Sequence, residues 1–475
     1  MLCHSIGFST QGQVLIDQSV TVQGSASAST QGRDRINTIH AQLSHSPGLQ
    51  GSLQLLNFCQ KQPEHIQKIL TTAFNNFSLN HSVTFADLAD NSEFVALCEK
   101  NNMVITGGPM LGNAAPDGID IWVRTLYPSS VEIRINNQGK SQIFGPVQST
   151  GGTDLAAVVK VRGLIPETTY NYEVLVNGKT LIKNENTVST TIPLPGSPGL
   201  TSIAFGSCFH RWGVCNPLLA NLIKARRPMA LLFNGDIAVQ DRLNNIAMHR
   251  ADYFLRDLHY ACKSLAASFP VYTTWDDHDY FNNDLNNIPE GYIREDKEAV
   301  CEVFRNSLNN PPYGLKGKGG GVFFRTRIGP ADIIMLDGRY FREKGNFLGT
   351  EQMIWLEEKL LDCKGPFIII SNGTMWSDYV SDGKDSWGVY DPVSREKIFS
   401  LIEKNHIGGV LLISGDRHGT RGFKIPRPSG FEFYEFECAG LGGRVGPDPI
   451  NSEWKTQLFG VSGEYAFGAF NFNTT

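Results

Sequence analysis

The sequence lacks the features that mark several classes of protein. No apolar run in its 475 residues approaches the roughly 18 residues of a membrane-spanning helix. No two of the nine cysteines have the CxxC spacing of zinc knuckles or thioredoxin-like sites. No GxxxxGK[ST] run indicates a nucleotide-binding P-loop. The net charge of -5 provides no overall basic field for nucleic acid or an anionic membrane. We therefore expect neither a membrane-spanning protein nor sequence-specific nucleic-acid binding.

The N-terminus carries no export signal as written. Residues 1–33 contain two charges, Asp17 and Arg33, with no basic start and no unbroken apolar block. The cytoplasm is the default expectation, and the periplasm or the outside of the cell applies if an export signal was removed. The compartment therefore stays open. The scattered cysteines are expected to be mostly reduced, buried side chains.

Residues 1–103 contain no motif that indicates a function. Residues 14–16 and 20–22 are apolar enough for short strands, and the Gly- and Ser-rich residues 24–31 indicate a linker or loop. Apolar spacings of three and four predict helices over residues 53–58, 66–74 and 85–98. Thr84 is the expected N-cap of the third helix. We predict a partly helical segment of unknown role.

Residues 104–198 have the pattern of a β-sandwich. Apolar and polar residues alternate over 119–123 and 131–135, as in half-buried strands. Further strands are expected at 156–161 and 169–176, and Asn177-Gly178 is a strong hairpin-turn signal. The segment 163–172 resembles the tyrosine corner of fibronectin type III domains. We therefore predict a fibronectin- or Ig-like sandwich of about 90 residues.

Residues 199–475 alternate between apolar strands and helices. Apolar runs bounded by Gly and Pro are typical of a sheet that is buried on both faces. Two helices, over 217–225 and 351–361, are expected to pack on it, which makes this region an α/β layered domain. The predicted strands are 203–205, 230–233, 271–274, 333–336, 367–370 and 410–413.

Polar groups follow each of these strands. In open α/β sheets, ligands bind beyond the carboxyl ends of the strands, so we expect these groups to meet at one edge. Clustered carboxylates repel one another and so raise one another's pKa. Bound cations would neutralise this repulsion. Oxygen, nitrogen and sulfur donors from separate strands suit a two-metal centre in which one carboxylate bridges both ions. Asp236, on a glycine-preceded turn, is the expected bridge.

Each of these motifs also has an ordinary structural explanation. Cys208 alone fits a core thiol, and Gly235-Asp236 fits a common turn. Residues 276–279 could be an exposed acidic turn, and residues 416–418 a capped turn. Their joint occurrence at successive strand ends favours a functional site.

The order of the motifs resembles the PhoD-like alkaline phosphatases and phosphodiesterases of the calcineurin-like metallophosphoesterase superfamily. The resemblance covers about residues 104–445. It implies a four-layer αββα catalytic domain with a dinuclear metal centre that hydrolyses phosphate esters. The motifs are Gly206-Ser207-Cys208, Asn234-Gly235-Asp236, Trp275-Asp276-Asp277-His278-Asp279, Leu336-Asp337-Gly338-Arg339-Tyr340-Phe341-Arg342, Leu348-Gly349-Thr350-Glu351-Gln352-Met353-Ile354-Trp355-Leu356 and Ser414-Gly415-Asp416-Arg417-His418.

The resemblance also implies roles for individual residues. Cys208 would ligate the first metal, typically ferric iron, and Asp236 would bridge the two ions. Asp277 stands where the superfamily has a metal-binding Asn, and His278 stands where a His faces the leaving-group oxygen. The closing metal ligands would be Asp416 and His418. Arg339 lies in a family motif and is expected to form an ion pair that supports the sheet edge.

One position departs from the family pattern. Val239 stands where the family commonly has a Tyr ligand to iron. His210, Asp241 or solvent could replace the phenolate, or the site could prefer zinc or manganese to the iron and calcium that the family implies. Asn372 could be a further ligand or a turn residue.

The leading hypothesis is a phosphoric ester hydrolase in which a metal-bound hydroxide attacks a phosphate mono- or diester. The substrate would be a small molecule, a lipid or a nucleotide, and we expect a monomer. A cysteine-dependent phosphatase is disfavoured, because Val214 occupies the position of the arginine that such enzymes need six residues after Cys208. The alternative is a non-catalytic binding or adhesion protein built on a degenerate metallophosphatase domain.

Overall fold

The computed structural model describes residues 7–8, 14–15, 48–137, 139–209, 213–242, 245–315, 320–380 and 385–475. Three expectations therefore lie outside the described residues: the strand at 20–22, the linker at 24–31, and His210 as a site residue. Within the described ranges, every helix is too short or too polar to cross a bilayer.

Helices and strands alternate along most of the chain. The helices are α1 (Leu49–Leu56), α2 (Glu64–Phe77), α3 (Phe85–Ala89), α4 (Ser92–Lys100), α5 (Pro217–Ala225), α6 (Ile246–Leu258), α7 (Tyr260–Ala266), α8 (Asp277–Tyr280), α9 (Arg294–Asn306), α10 (Gly349–Leu361), α11 (Trp387–Tyr390) and α12 (Pro392–Lys404). The strands of the first half are β1 (Gly7–Phe8), β2 (Val14–Leu15), β3 (Ile105–Ala115), β4 (Gly118–Thr125), β5 (Ser129–Asn137), β6 (Lys140–Ser149), β7 (Ala156–Arg162), β8 (Thr169–Val176), β9 (Lys179–Ile182) and β10 (Val188–Thr190). The strands of the second half are β11 (Leu200–Gly206), β12 (Ala230–Asn234), β13 (Val271–Thr274), β14 (Phe324–Ile328), β15 (Ala331–Met335), β16 (Phe367–Ser371), β17 (Val410–Ser414), β18 (Thr420–Pro426), β19 (Glu432–Cys438), β20 (Gln457–Val461) and β21 (Gly468–Asn473).

The N-terminal helices α1 to α4 pack against α6 through one apolar cluster. Thr84 caps α3 as predicted, in a reciprocal capping box with Asp87. The prediction of one helix over 85–98 is wrong, because the segment divides into α3 and α4. Asn91 ends the continuity by accepting a hydrogen bond from Phe94 N at 2.9 Å, which makes it the N-cap of α4.

Two small sheets follow the helices. One has the order β3-β4-β7 and the other β10-β8-β5-β6, with β9 paired to β8. The predicted strands and the hairpin turn are confirmed, and Asn177 and Gly178 both have positive φ, 49° and 76°. Tyr170 Oη accepts a hydrogen bond from Ile165 N at 2.9 Å. The sequence did not reveal β3, whose register shifts three times along β4.

The second half of the chain contains two larger sheets. Their orders are β13-β12-β11-β21-β1-β2 and β14-β15-β16-β17-β19-β18-β20. All six predicted strands are present, and helices α5 and α10 match their predicted positions closely. The apolar pattern did not show that the six strands divide between two sheets.

Alternate residues of these strands lie in different apolar clusters. Leu232 of β12 and Ile333 of β15 share one core between elements of both large sheets. Their neighbours Leu231 and Ile334 belong to clusters formed with helices instead. Leu231 clusters with residues of α5 and α7, and Ile334 with residues of α10 and α12. Because both faces of these strands are buried, their runs are continuously apolar, which is why they were predictable.

The end of the chain returns to the first large sheet. Strand β21 pairs antiparallel with β11 over six registered residue pairs. A Cβ at Gly468 would lie 2.2 Å from the Phe205 ring, so only glycine allows this close approach. The sheet edge next to β11 is therefore covered by the C-terminal strand, a pairing that local sequence patterns do not indicate.

Candidate metal centre

The predicted ligands lie in turns at the carboxyl ends of four strands. Cys208 follows β11, Asp236 follows β12, Asp277 begins α8 after β13, and Asp416 follows β17. Cys208, Asp236 and Asp416 have left-handed φ values of 55°, 55° and 73°. Positive φ values are uncommon in residues other than glycine and have a free-energy cost. Residues with such strained backbone often occur at functional sites. The turns therefore have the backbone character of a functional site.

The acidic side chains of these turns converge. Asp236, Asp277 and His278 each offer a ligand atom within 4.8 Å of the other two, and Asp276, Asp277 and Asp416 form a second group of the same kind. Asp277 belongs to both groups. Cys208 Sγ lies 3.5 Å from Asp236 Oδ2, so the thiol is part of the same cluster.

Buried carboxylates dominate the electrostatics of the cluster. Burial raises the pKa of Asp236 and Asp416 well above the ordinary aspartate value, and the neighbouring carboxylates add to the effect. Burial likewise raises the pKa of the Cys208 thiol, with Asp236 contributing. Burial thus favours the neutral forms of these groups, and a cation, which binds the charged forms, would release protons from them.

His278 is held by Asp241. The Asp241 carboxylate accepts a hydrogen bond from His278 Nδ1 at 2.7 Å. Burial alone would lower the pKa of His278, but Asp277, Asp236 and Asp241 outweigh it and raise this pKa to about 10. The bond at Nδ1 fixes the orientation of the ring, as carboxylates do for many functional histidines.

The remaining candidates are placed differently. His418 Nε2 accepts a hydrogen bond from Arg444 Nη1 at 3.1 Å, and His418 is in neither of the two groups found among the described residues. Asn372 Nδ2 donates to Thr374 O at 2.9 Å, as a turn residue does, and its Oδ1 is buried with no hydrogen-bond partner among the described residues, so both predicted roles stay open. Arg339 forms the expected ion pairs, with Asp276 and Asp385. The cluster thus unites Cys208, Asp236, Asp277, His278 and Asp416.

The residues present fit a metal centre. Asp276 Oδ2 and Asp277 Oδ1 are buried, and neither has a hydrogen-bond partner among the described residues. Unpaired carboxylate oxygens are costly to bury, and a cation would satisfy them. Carboxylate oxygen, ring nitrogen and thiolate sulfur are also the donors that transition metals and hard divalent cations take.

Sequence reasoning missed the part played by Asp279. Its carboxylate accepts hydrogen bonds from Ile237 N, Ala238 N and Val239 N at 2.8–3.3 Å. It therefore holds the loop that follows Asp236 rather than facing a cation. The side chain of Val239 is fully buried in an apolar cluster. The sequence offered one signal for this role, the run of four ionisable residues at 276–279. Four consecutive side chains in a turn cannot all face one site, so at least one of them had to have another role.

Comparison with known proteins agrees with the motif order. A model of the PhoD-like phosphatase family matches residues 234–444. The resemblance to the PhoD-like phosphatases is confirmed. A second family model, described as a domain of unknown function (DUF7800), matches residues 102–193.

Three relatives illustrate how far this PhoD-like similarity extends. Alkaline phosphatase D of Bacillus subtilis (strain 168) is 26% identical over 218 residues, which are 39% of this chain and 36% of that protein. The match thus spans about a third of the length of that curated relative. The solved structure of PhoD has a TM-score of 0.65 at 18% identity, over 78% of this chain and 84% of that one. Purple acid phosphatase PPD1 from yellow lupin seeds has a TM-score of 0.56 at 14% identity, over 77% and 74% of the two chains.

The structural matches show a shared mixed α/β fold with several sheets. The family match and the curated relative support the hypothesis of a metallophosphoesterase.

Proposed function

We propose that this protein is a metal-dependent phosphoric ester hydrolase with a dinuclear centre. The observation that carries the proposal is the position of Asp277, whose carboxylate belongs to both groups of metal-ligating atoms. Two ions held a short distance apart are the usual arrangement for phosphoryl chemistry in hydrolases. We propose Cys208, Asp236, Asp277, Asp416 and His418 as the ligands. The family resemblance implies that Asp236 would bridge the ions, whereas Asp277 is the carboxylate that the two groups share.

His418 would need a local change to serve as a ligand through Nε2. The Arg444 guanidinium has donors only, so Nε2 accepts its hydrogen bond and is unprotonated. An unprotonated ring nitrogen is the form that binds a metal, and Arg444 would have to release it.

The ions, when bound, would supply a water of lowered pKa and positive charge that stabilises the phosphoryl oxygens. The chain itself supplies the proton for the leaving group. His278, oriented by Asp241, is protonated at neutral pH and can donate to a leaving alkoxide as general acid. Bound cations would offset the carboxylates around His278 and lower its pKa from about 10 toward the neutral range.

The family resemblance indicates the identity of the ions. We propose iron as the ion that Cys208 binds and calcium as the other ion, as the resemblance implies. Zinc or manganese is the alternative at the first position, because Val239 provides no phenolate. Asp241 Oδ1 accepts a hydrogen bond from His278 Nδ1, so we propose that Asp241 orients His278 rather than replacing the missing tyrosine ligand.

The substrate would be a phosphate ester of a small molecule, a lipid or a nucleotide. We propose that residues 199–475 form the αββα catalytic domain and residues 104–198 a fibronectin type III-like sandwich. The hydrogen bond between Tyr170 Oη and Ile165 N supports the second assignment, because tyrosine corners make this kind of contact. The alternative, a non-catalytic binding protein on a degenerate domain, is not favoured by the comparisons.

Elemental analysis combined with chelation tests the proposal. The purified protein should contain close to two equivalents of metal and should hydrolyse p-nitrophenyl phosphate or its bis-ester. Chelation should abolish the hydrolysis, and addition of the removed metals should restore it. A metal-free purified protein that neither binds added iron, zinc, manganese or calcium nor hydrolyses either ester would overturn it.

A further inference from the structure

Asp276 is a carboxylate that the predicted ligand set does not include. It stands directly before Asp277, at the end of the turn after β13, and is 1% exposed. Its carboxylate offers an oxygen within 4.8 Å of ligand atoms of Asp277 and Asp416. The second group of potential ligand atoms therefore depends on Asp276 for one of its three members.

Two glycines provide the space that the Asp276 side chain occupies. A Cβ at Gly235 would lie 2.5 Å from Asp276 Cβ, and a Cβ at Gly373 would lie 2.7 Å from Asp276 Oδ1. These glycines belong to the turns after β12 and β16. Three strand ends thus close around one carboxylate, and its position is tightly defined.

Arg339 fixes one oxygen of this carboxylate. Its Nε donates to Asp276 Oδ1 at 2.5 Å, and its Nη2 donates to Asp385 Oδ2 at 2.6 Å. Asp385 is held in addition by Arg342. Because Arg339 is fully buried and divides its donors between two carboxylates, it can hold Asp276 in a single orientation.

The other oxygen of the Asp276 carboxylate, Oδ2, is not bound by Arg339. It is buried and has no hydrogen-bond partner within the described part of the chain. A buried carboxylate oxygen without a partner carries a free-energy cost that native structures seldom accept unless an ion or water satisfies it. One oxygen fixed by arginine and one left for an ion is the arrangement of a metal ligand with an outer hydrogen-bond partner.

We propose that Asp276 is a further ligand of the metal centre, shared with Asp277 and Asp416, and that Arg339 is the positioning residue that orients it. The inference rests on the proposed function, because it assumes that ions bind to this cluster. It gives one ion an environment of three carboxylates, whereas Asp236, in the other group, adjoins the Cys208 thiol.

Ion binding by matched variants tests the proposal without reliance on catalysis. Asp276→Asn keeps the shape and removes the charge. Gly373→Ala keeps the charge and displaces the carboxylate, because the added Cβ would collide with Oδ1. Arg339→Lys keeps a cation and loses the guanidinium geometry. Asp332→Asn is the control, since Asp332 is also buried and paired with an arginine, Arg325, at 2.9 Å.

The readouts are the metal content after dialysis and titration calorimetry with Ca²⁺ and with Mn²⁺ alone. Asp276→Asn and Gly373→Ala should each weaken the binding of one ion by roughly 10- to 100-fold and leave the other in place. Arg339→Lys should weaken the same ion to a smaller degree, and Asp332→Asn should match the wild type. If Asp276→Asn does not fold, Gly373→Ala tests the proposal through the same measurement, the loss of affinity for one ion.

The possible failures are distinguishable. A wild type that binds two ions, with variants at Asp276 and Gly373 that bind both with unchanged affinity, overturns this inference and leaves the proposed function standing. A wild type that binds no ion overturns both.

Discussion

Asp241 and His278 form a hydrogen-bonded pair at 2.7 Å that joins the loop after β12 to the first turn of α8. The side chain of Asp241 is 41% exposed, so the pair contributes little to the packing of the core. Its effect falls on the ring of His278: Asp241 fixes the ring's orientation and, after Asp277 and Asp236, contributes to its raised pKa. This makes Asp241 a position where the proposed proton transfer can be tested without disturbing the proposed metal ligands.

Replacing Asp241 by Asn should shift the pH profile of hydrolysis. The carboxylate raises the pKa of His278, so its removal lowers that pKa, and the protonated donor is lost at a lower pH. We expect the alkaline limb of the pH profile of kcat to move toward lower pH. The maximal kcat should fall by roughly 10-fold or more. Metal content should not change. The exposed control Asp362→Asn should keep the wild-type profile, and an unshifted limb in Asp241→Asn would contradict the assigned role of His278.

Metal binding should stabilise the protein more at alkaline than at acid pH. Burial raises the pKa of Asp276 to about 7 from 3.8, so the folded state favours the protonated form. That contribution to stability is present below about pH 4 and is lost as the pH rises through 7. Saturating Mn²⁺ or Ca²⁺ should raise the melting temperature of chelator-treated protein by roughly 5 °C at pH 8 and by less at pH 5. An equal or larger gain at pH 5 would count against cation binding at these carboxylates.

Asp279→Ala should destabilise the fold and loosen the turn of Asp236. The change leaves three backbone N–H groups of residues 237–239 without their acceptor. Hydrogen bonds to a charged acceptor contribute about 1.5–3 kcal/mol each, so a loss of roughly 3 kcal/mol or more in unfolding free energy is expected from urea denaturation. Asp279→Asn retains one acceptor oxygen and should lose less. Equal stability of the alanine variant and the wild type would rule out this role.

Tyr170→Phe should destabilise the small sheets without changing hydrolysis. The Tyr170 hydroxyl accepts a hydrogen bond from Ile165 N. Tyr170 lies on β8 of a small sheet, whereas the proposed ligands follow strands of the two large sheets. Removal of the hydroxyl leaves a backbone donor unpaired, at an expected cost of about 1–2 kcal/mol in urea denaturation. A loss of activity at a temperature where the variant is folded would show that these sheets take part in the reaction.

Local patterns in the sequence predicted the strand ends well. The runs before Cys208, Asp236, Asp277 and Asp416 are largely buried and end at glycine or polar residues, so the strands and the candidate ligands after them could be predicted together. The hairpin at Asn177-Gly178 and the cap at Thr84 were predictable for the same reason, since both depend on a few adjacent residues.

Features that depend on distant residues could not be predicted in this way. The division of six strands between two sheets and the return of β21 to β11 are decided by packing across the whole chain. The same holds within the site. Asp276 and Asp279 are three residues apart, yet one faces the cluster and the other caps a loop, because their neighbours in space differ.

The hydrolysis of p-nitrophenyl phosphate and bis-p-nitrophenyl phosphate by metal-loaded wild type and Asp236→Asn tests the central claim most directly. Burial raises the pKa of the Asp236 carboxyl in the metal-free protein and so favours its neutral form, which Asn resembles in shape and charge; the variant should therefore fold. We predict that the wild type hydrolyses at least one ester, that Asp332→Asn does so equally well, and that Asp236→Asn loses at least 100-fold in kcat/KM together with bound metal. Undiminished hydrolysis by Asp236→Asn, with its metal content intact, would contradict the account.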